Sequence, residues 1–213
     1  MNKLSKVKIN SHKLISEGVY LIKFPRYFNF IPGQIIGLTN NTEIAPRLYS
    51  ICSSDSDSNI GILYQVKDDG VLTPSLEKNK VGDELWITQV QGKFVFDNKP
   101  AWWIATGTGI APFYSMFKSG LKPLKLVQGA RQIKQFYFKN ELVEIGDYVP
   151  CCSQEKEEGV YEGRLTTYIK EFEKLPTNIN YYLCGSAEMV VDVRNLLIEK
   201  GVNFNNIITE IYF

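Results

Sequence analysis

The sequence is short of several things. The 213 residues carry 24 Lys and Arg against 23 Asp and Glu, a formal net charge of +1. A nucleic-acid protein usually shows a basic excess, so no nucleic-acid partner is expected. No apolar run approaches the roughly 18 residues that a membrane helix needs, so no membrane span is expected. The start, Met1-Asn2-Lys3-Leu4-Ser5-Lys6, has charge but no apolar stretch behind it and reads as no signal peptide. Cysteine is limited to Cys52, Cys151, Cys152 and Cys184, with no C-x-x-C spacing. That pattern argues against a metal site or an iron–sulfur centre and points to free thiols in a cytoplasmic protein. The one histidine, His12, lies in a Ser-His-Lys stretch that reads as a solvated turn.

What is present divides into two textures. From the start to about residue 98 there are short runs rich in β-branched and aromatic residues, at 7–9, 18–24, 34–38, 47–52, 60–66 and 84–90. Turn signals such as Ile31-Pro32-Gly33, Asp68-Asp69-Gly70 and Val81-Gly82-Asp83 separate them, with one helical segment around 73–78. Many short strands at this spacing predict a sandwich or small barrel. After the polar stretch Asp97-Asn98-Lys99-Pro100, strand-like runs at 101–105, 124–128, 148–153, 181–184 and 207–212 alternate with helical ones at 112–118, 135–142, 165–174 and 187–200. Such alternation predicts a parallel sheet covered by helices. The expected domains are therefore 1–98 and 99–213. In the last helix Val190, Val193 and Leu197 share a face, with Ser186 as a candidate cap and Gly201 past the end.

Three stretches carry chemistry. Ala105-Thr106-Gly107-Thr108-Gly109-Ile110-Ala111-Pro112 reads as strand, glycine turn and helix, the arrangement that aims backbone N–H groups at a phosphate. Gly107 and Gly109 would let the backbone pass close to a pyrophosphate, although a tight structural turn would use the same residues. Arg47-Leu48-Tyr49-Ser50 offers a guanidinium that can fork onto a phosphate and a ring that can stack, or an exposed arginine beside a core tyrosine. Gly70-Val71-Leu72-Thr73 is either an Asp-Gly turn or a set of amides facing a pyrophosphate.

Taken in order with Gly82-Asp83-Glu84-Leu85, Gly129-Ala130-Arg131, Gly163-Arg164, Leu183-Cys184-Gly185 and the ending Glu210-Ile211-Tyr212-Phe213, these blocks resemble the ferredoxin–NADP+ reductase family, most closely its bacterial ferredoxin/flavodoxin branch. The resemblance implies an N-terminal Greek-key antiparallel β-barrel holding FAD and a C-terminal parallel α/β domain holding NADP(H). It implies that Arg47 binds the FAD pyrophosphate, Tyr49 stacks on the flavin and Ser50 bonds near its reactive nitrogen. Leu48 lies in the same motif. Tyr64, Gln65 and Val66 match the segment on the ribityl and adenylate side, and Gly70, Leu72 and Thr73 match the pyrophosphate turn. Thr106, Gly107, Thr108, Gly109, Gly185 and Met189 match the nucleotide side, with Thr108 near both rings. Cys184 and Glu210 match the pair near hydride transfer. Arg131, Ser153 and Arg164 match the 2′-phosphate site, where Gln154 stands in place of a third arginine and weakens the expected preference for NADPH. Tyr212 matches the aromatic that stacks where nicotinamide arrives, and Phe213 one that packs on the adenine. The implied activity is hydride exchange with NADP(H) and single-electron exchange with a transient ferredoxin or flavodoxin. An NADH-dependent flavin or oxygenase reductase, or a flavin-free nucleotide module, are the alternatives.

Overall fold

The computed structural model describes residues 4–212, which divide into two compact units. One comprises residues 4–95 with 111–120, the other 96–110 with 121–212.

The first unit is antiparallel. Strands β1 (Ser5–Lys8), β2 (Ser11–Ser16), β3 (Val19–Pro25), β4 (Ile35–Thr39), β5 (Arg47–Ser50), β6 (Asn59–Gln65) and β7 (Glu84–Ile87) form two sheets, ordered β1-β7-β4-β5 and β2-β3-β6. An antiparallel bridge between Ile51 and Ile62 joins the β5 and β6 regions. Alternation along the strands sends Ile22, Phe24, Ile36, Leu38, Ile60 and Ile62 into one fully buried core. The six-residue helix α1 (Leu72–Glu77) adds Leu72 and Leu76 to it. The sequence reading omitted β2 and so put His12 in a turn. The strand is on a sheet edge with Leu14 exposed, so it lacks the apolar alternation that marks a half-buried strand. Helix α2 (Ala111–Lys118) packs with this unit: Phe113 meets Phe94 edge-on at 5.6 Å, and Ser115 donates its hydroxyl to the Ser53 carbonyl at 2.6 Å.

The second unit is a six-stranded parallel sheet of β8 (Ala101–Thr106), β9 (Lys125–Ala130), β10 (Tyr148–Cys152), β11 (Tyr161–Glu162), β12 (Asn180–Ser186) and β13 (Ile207–Tyr212), ordered β11-β10-β9-β8-β12-β13. β8 and β12 are buried along consecutive residues, which is why they read as unbroken apolar runs rather than as alternation. Helices α4 (Leu165–Lys170) and α5 (Ala187–Glu199) bury Leu165, Ile169, Met189, Val190, Val193 and Leu197 in a common core with Ile104, Val127 and Leu183. Ser186 caps α5 by accepting the Met189 N–H at 3.4 Å.

Two helices fall short of their sequence-predicted lengths. The stretch 135–142 supplies only α3 (Lys139–Leu142), because Phe138 ahead of it takes a left-handed φ of 62°. α4 stops at Lys170, where the Lys200 ammonium takes the carbonyls of Lys170 and Phe172 as its own hydrogen-bond acceptors. Among the described residues no helix is long and apolar enough to cross a membrane.

Candidate functional site

Strand order locates the second unit's site. From β8 the chain builds β9, β10 and β11 outward in one direction, then returns to build β12 and β13 in the other. The reversal falls between β8 and β12, and in open α/β sheets ligands enter the crevice outside the carboxyl ends of the strands at such a point. The glycine turn Gly107–Ile110 leaves β8 there as a short 3₁₀ segment, and Cys184-Gly185-Ser186 ends β12 beside it.

The two glycines of the turn have different causes. Gly107 has a φ of +55° and open space where a Cβ would stand. Gly109 is the tight one: a Cβ there would lie 2.4 Å from the Cys184 carbonyl oxygen and 2.6 Å from the Gly185 Cα. The approach of β12 by itself requires a glycine at 109, whether or not a ligand also passes there. Gly185 is crowded in the same way, its Cβ position lying 2.3 Å from Thr106 Oγ1. Thr106 Oγ1 is itself buried and has no hydrogen-bond partner among the described residues, a polar atom turned into the switch point and left to be satisfied.

Parallel register gathers the hydride-transfer candidates. Cys184 lies opposite Ala105 of β8 on one side and Glu210 of β13 on the other, and Ser186 pairs with Tyr212. Burial raises the Cys184 thiol well above the ordinary cysteine value; the Glu210 carboxylate adds to this, and a hydrogen bond from Tyr212 opposes it. At neutral pH this direction favours the neutral thiol over the thiolate. Met189 is buried beneath, its N–H already taken by Ser186, so it supports the site as packing. Phe213 lies outside the described residues.

Further along the same sheet edge, Ala130, Cys152 and Glu162 are in register across β9, β10 and β11. The residues just past them converge on Cys152: its thiol donates to the Arg131 carbonyl at 3.1 Å, and its carbonyl accepts the Gly163 N–H at 2.7 Å. The Gln154 N–H reaches the Arg131 carbonyl at 3.0 Å, and the Ser153 N–H reaches Ala130 at 3.1 Å. Arg131, Ser153, Gln154 and Arg164 are thus assembled by main-chain bonds, which leaves the guanidinium groups exposed.

In the first unit Arg47 is likewise exposed on β5, with Leu48 beside it, Tyr49 half-buried and Ser50 buried. Burial raises the Tyr49 phenol to about 12, with the Arg47 charge pulling the other way. The guanidinium groups of Arg47, Arg131 and Arg164 make no hydrogen bond or ion pair among the described residues, whereas Arg26 bonds the Asp55 carbonyl and Arg194 bonds Asn195. Other expectations shift. Gly70 spends its N–H on the Lys67 carbonyl at 2.8 Å, and Thr73 Oγ1 accepts the Lys67 N–H at 2.9 Å, so both close their own turn; the Thr73 hydroxyl keeps its proton to donate. Leu72 and Tyr64 point into the core, which limits the ligand contacts of Leu72 to main chain. Gln65 is exposed and Val66 partly buried, the Val66 N–H bonding the Gly18 carbonyl.

His12 is the residue that sequence reasoning missed. It is half-buried on β2, with Nδ1 2.9 Å from the Asn79 carbonyl and Nε2 2.8 Å from the Tyr64 hydroxyl. A signal existed: Glu17-Gly18 is a two-residue loop between β2 and β3, with Gly18 at a φ of +67°, and such a loop marks a hairpin.

Residues 103–195 match the family model for the oxidoreductase NAD-binding domain. A flavodoxin/ferredoxin–NADP reductase of Escherichia coli strain K12 is 30% identical over 219 residues, which cover 90% of this chain and 87% of that protein. The toluate 1,2-dioxygenase electron transfer component of Pseudomonas putida is 26% identical over 187 residues; they cover 81% of this chain but 56% of that longer protein. The crystal structure of a ferredoxin NADP+ reductase from Neisseria gonorrhoeae with bound FAD and NADP shares the fold, with a TM-score of 0.89 and 20% identity over 100% of both chains.

Proposed function

The chain belongs to the flavodoxin/ferredoxin–NADP reductase family, and from that premise we propose that it is an FAD-dependent oxidoreductase exchanging a hydride with NADP(H) and single electrons with a ferredoxin or flavodoxin. FAD supplies the conversion between the two-electron and one-electron steps. The protein's share is to bind the flavin and the nucleotide and to carry no competing nucleophile.

The residues fit that share. The first unit is assigned to FAD and the second to NADP(H). Arg47, exposed and without a hydrogen-bond or ion-pair partner among the described residues, takes an FAD phosphate by a charge-assisted contact. The half-buried ring of Tyr49 stacks on the flavin, and its raised phenol keeps the hydroxyl neutral. Thr106 Oγ1 finds its missing partner on the incoming nucleotide. Cys184 packs beside the nicotinamide as a neutral thiol, which cannot attack the ring as a thiolate would. Tyr212 occupies the nicotinamide position until the nucleotide displaces it. Arg131 and Arg164 receive the 2′-phosphate.

The single observation that carries this reading is the state of the arginines: the three that the family motif singles out are the three whose guanidinium groups make no hydrogen bond or ion pair among the described residues, while Arg26 and Arg194 are bonded within the protein. The test is flavin retention. Arg47→Ala should lose FAD on dilution and dialysis, and full occupancy in that variant overturns the assignment. A second reading, an NADH-dependent reductase serving an oxygenase, is favoured by Gln154, which brings no charge to the phosphate site. The partner is taken to be transient and the setting cytoplasmic.

A further inference from the structure

Four neighbouring strands of the first unit contribute one residue each to a continuous ladder. His12 of β2 lies diagonally across from Tyr20 of β3, since His12 pairs with Ile22. Tyr20 pairs directly with Tyr64 of β6. The antiparallel bridge Ile51↔Ile62, continued two residues each way, brings Tyr49 of β5 opposite Tyr64. The ring geometry agrees: Tyr20 stacks on Tyr64 at 5.7 Å and 19°, and Tyr49 meets Tyr64 edge-on at 6.5 Å and 68°. Tyr20 is anchored by donating its hydroxyl to the Glu77 carboxylate at 2.8 Å.

The hydrogen bonds fix the tautomer of the neutral imidazole. The Asn79 carbonyl can only accept, so Nδ1 of His12 carries the hydrogen. Nε2 then has a lone pair to offer, and the Tyr64 hydroxyl donates to it. Burial raises the Tyr64 phenol, which preserves that donor. Tyr64 is thus held by Tyr20 on its face and His12 at its tip, and it presents its ring to Tyr49.

We propose that His12 is a positioning residue for Tyr49, acting through Tyr64, a role that rests on the assignment of Tyr49 as the flavin-stacking ring. The hydrogen bond from the Tyr64 hydroxyl to His12 fixes the tip of a ring whose face is stacked by Tyr20. A change at His12 therefore reaches the flavin through two ring contacts without touching it.

The test compares holoproteins: wild type, His12→Leu, His12→Gln, Tyr64→Phe, the His12→Leu/Tyr64→Phe double variant and Tyr49→Ser. For each, the FAD dissociation constant, the visible flavin band and the urea midpoint are measured. His12→Leu and Tyr64→Phe should each measurably weaken FAD binding, by no more than about tenfold, the net worth of one hydrogen bond being the upper limit, and shift the flavin band in the same direction. The double variant should do no more than either single one, because both break the same bond. His12→Gln, which keeps a donor and an acceptor, should stay near wild type. A purely structural role would lower the urea midpoint and leave FAD affinity and the flavin band unchanged in the His12 and Tyr64 variants, and that result overturns the inference. If Tyr49→Ser also leaves them unchanged, the stacking assignment falls with it; if Tyr49→Ser alone moves them, only the positioning role is lost. Because His12 is the only histidine, its ring ¹⁵N resonances can be read in the unmutated protein, so a variant that fails to fold does not decide the matter. They should report a hydrogen on Nδ1 and move when FAD is removed; the other tautomer, or no movement, counts against the role.

Discussion

Replacing Gly109 by alanine separates the two explanations for the glycine turn. The added Cβ would lie 2.4 Å from the Cys184 oxygen and 2.6 Å from the Cys184 carbonyl carbon and the Gly185 Cα. Comfortable contacts with carbon begin near 3.5 Å, so the turn or the end of β12 must move by roughly 1 Å. The obstacle is main chain in a close-packed interior and cannot rotate away. Overpacking of this kind costs about 1–3 kcal/mol, and for a chain of this size each kcal/mol lowers the melting temperature by about 2–4 °C. Gly107→Ala meets nothing within 4 Å and suffers only the backbone cost of its φ of +55°, about 1–2 kcal/mol. Stability alone would separate the two poorly; the thiol separates them well. Displacing β12 at Cys184 breaks the burial and the Tyr212 hydrogen bond that define its environment. We therefore expect alkylation of Cys184, followed by mass spectrometry at neutral pH, to be negligible in wild type and Gly107→Ala and readily detected in Gly109→Ala. Nucleotide affinity should fall in both variants. A Gly109→Ala protein that melts like wild type and protects Cys184 equally would refute the steric explanation and return Gly109 to the ligand.

Arg131→Ala/Arg164→Ala should cost NADPH most of its advantage over NADH, measured as the ratio of the two kcat/KM values; an unchanged ratio removes both arginines from the phosphate site. Tyr212→Ser should tighten both NADP+ and NAD+ by a few-fold to about tenfold, the aromatic stacking of about 0.5–1.5 kcal/mol that the nucleotide no longer displaces; titration of the flavin spectrum with each nucleotide checks it. Asp97 is penalised by burial, but the Lys99 N–H and ammonium and the Tyr182 hydroxyl outweigh this and hold its carboxyl below the usual range. A depressed folded value means a contribution present above the unfolded value of about 3.9 and lost as pH falls through the folded one. Urea midpoints between pH 7 and pH 3 should therefore fall more steeply at the acid end for wild type than for Asp97→Asn.

Legibility in the sequence followed burial. Runs buried on both faces, such as Ala101–Thr106 and Asn180–Ser186, announce themselves as strands because no solvated face interrupts them. The cap at Ser186 and the face of Val190, Val193 and Leu197 were visible because capping and helical period are local properties. β2 was not visible: an exposed edge strand carries no pattern, and with it His12 was lost from the ladder that it completes. β11 is two residues long and exists by pairing with β10, a partner that lies elsewhere in the chain. The steric demand at Gly109 was hidden for the same reason, since its neighbour Cys184 is 75 positions away. The arginines of the site were named from the motif, but that their guanidinium groups find no partner among the described residues is a property of the folded chain alone.

The most direct measurement is anaerobic stopped-flow of the purified, flavin-loaded protein mixed with NADPH or NADH, followed by a second mix with oxidised ferredoxin or flavodoxin. We expect the absorbance of the bound flavin to bleach faster with NADPH than with NADH and to return when the acceptor is added. A protein that binds no FAD when it is supplied, or whose bound flavin is bleached by neither nucleotide, would contradict the assignment as an FAD-dependent reductase.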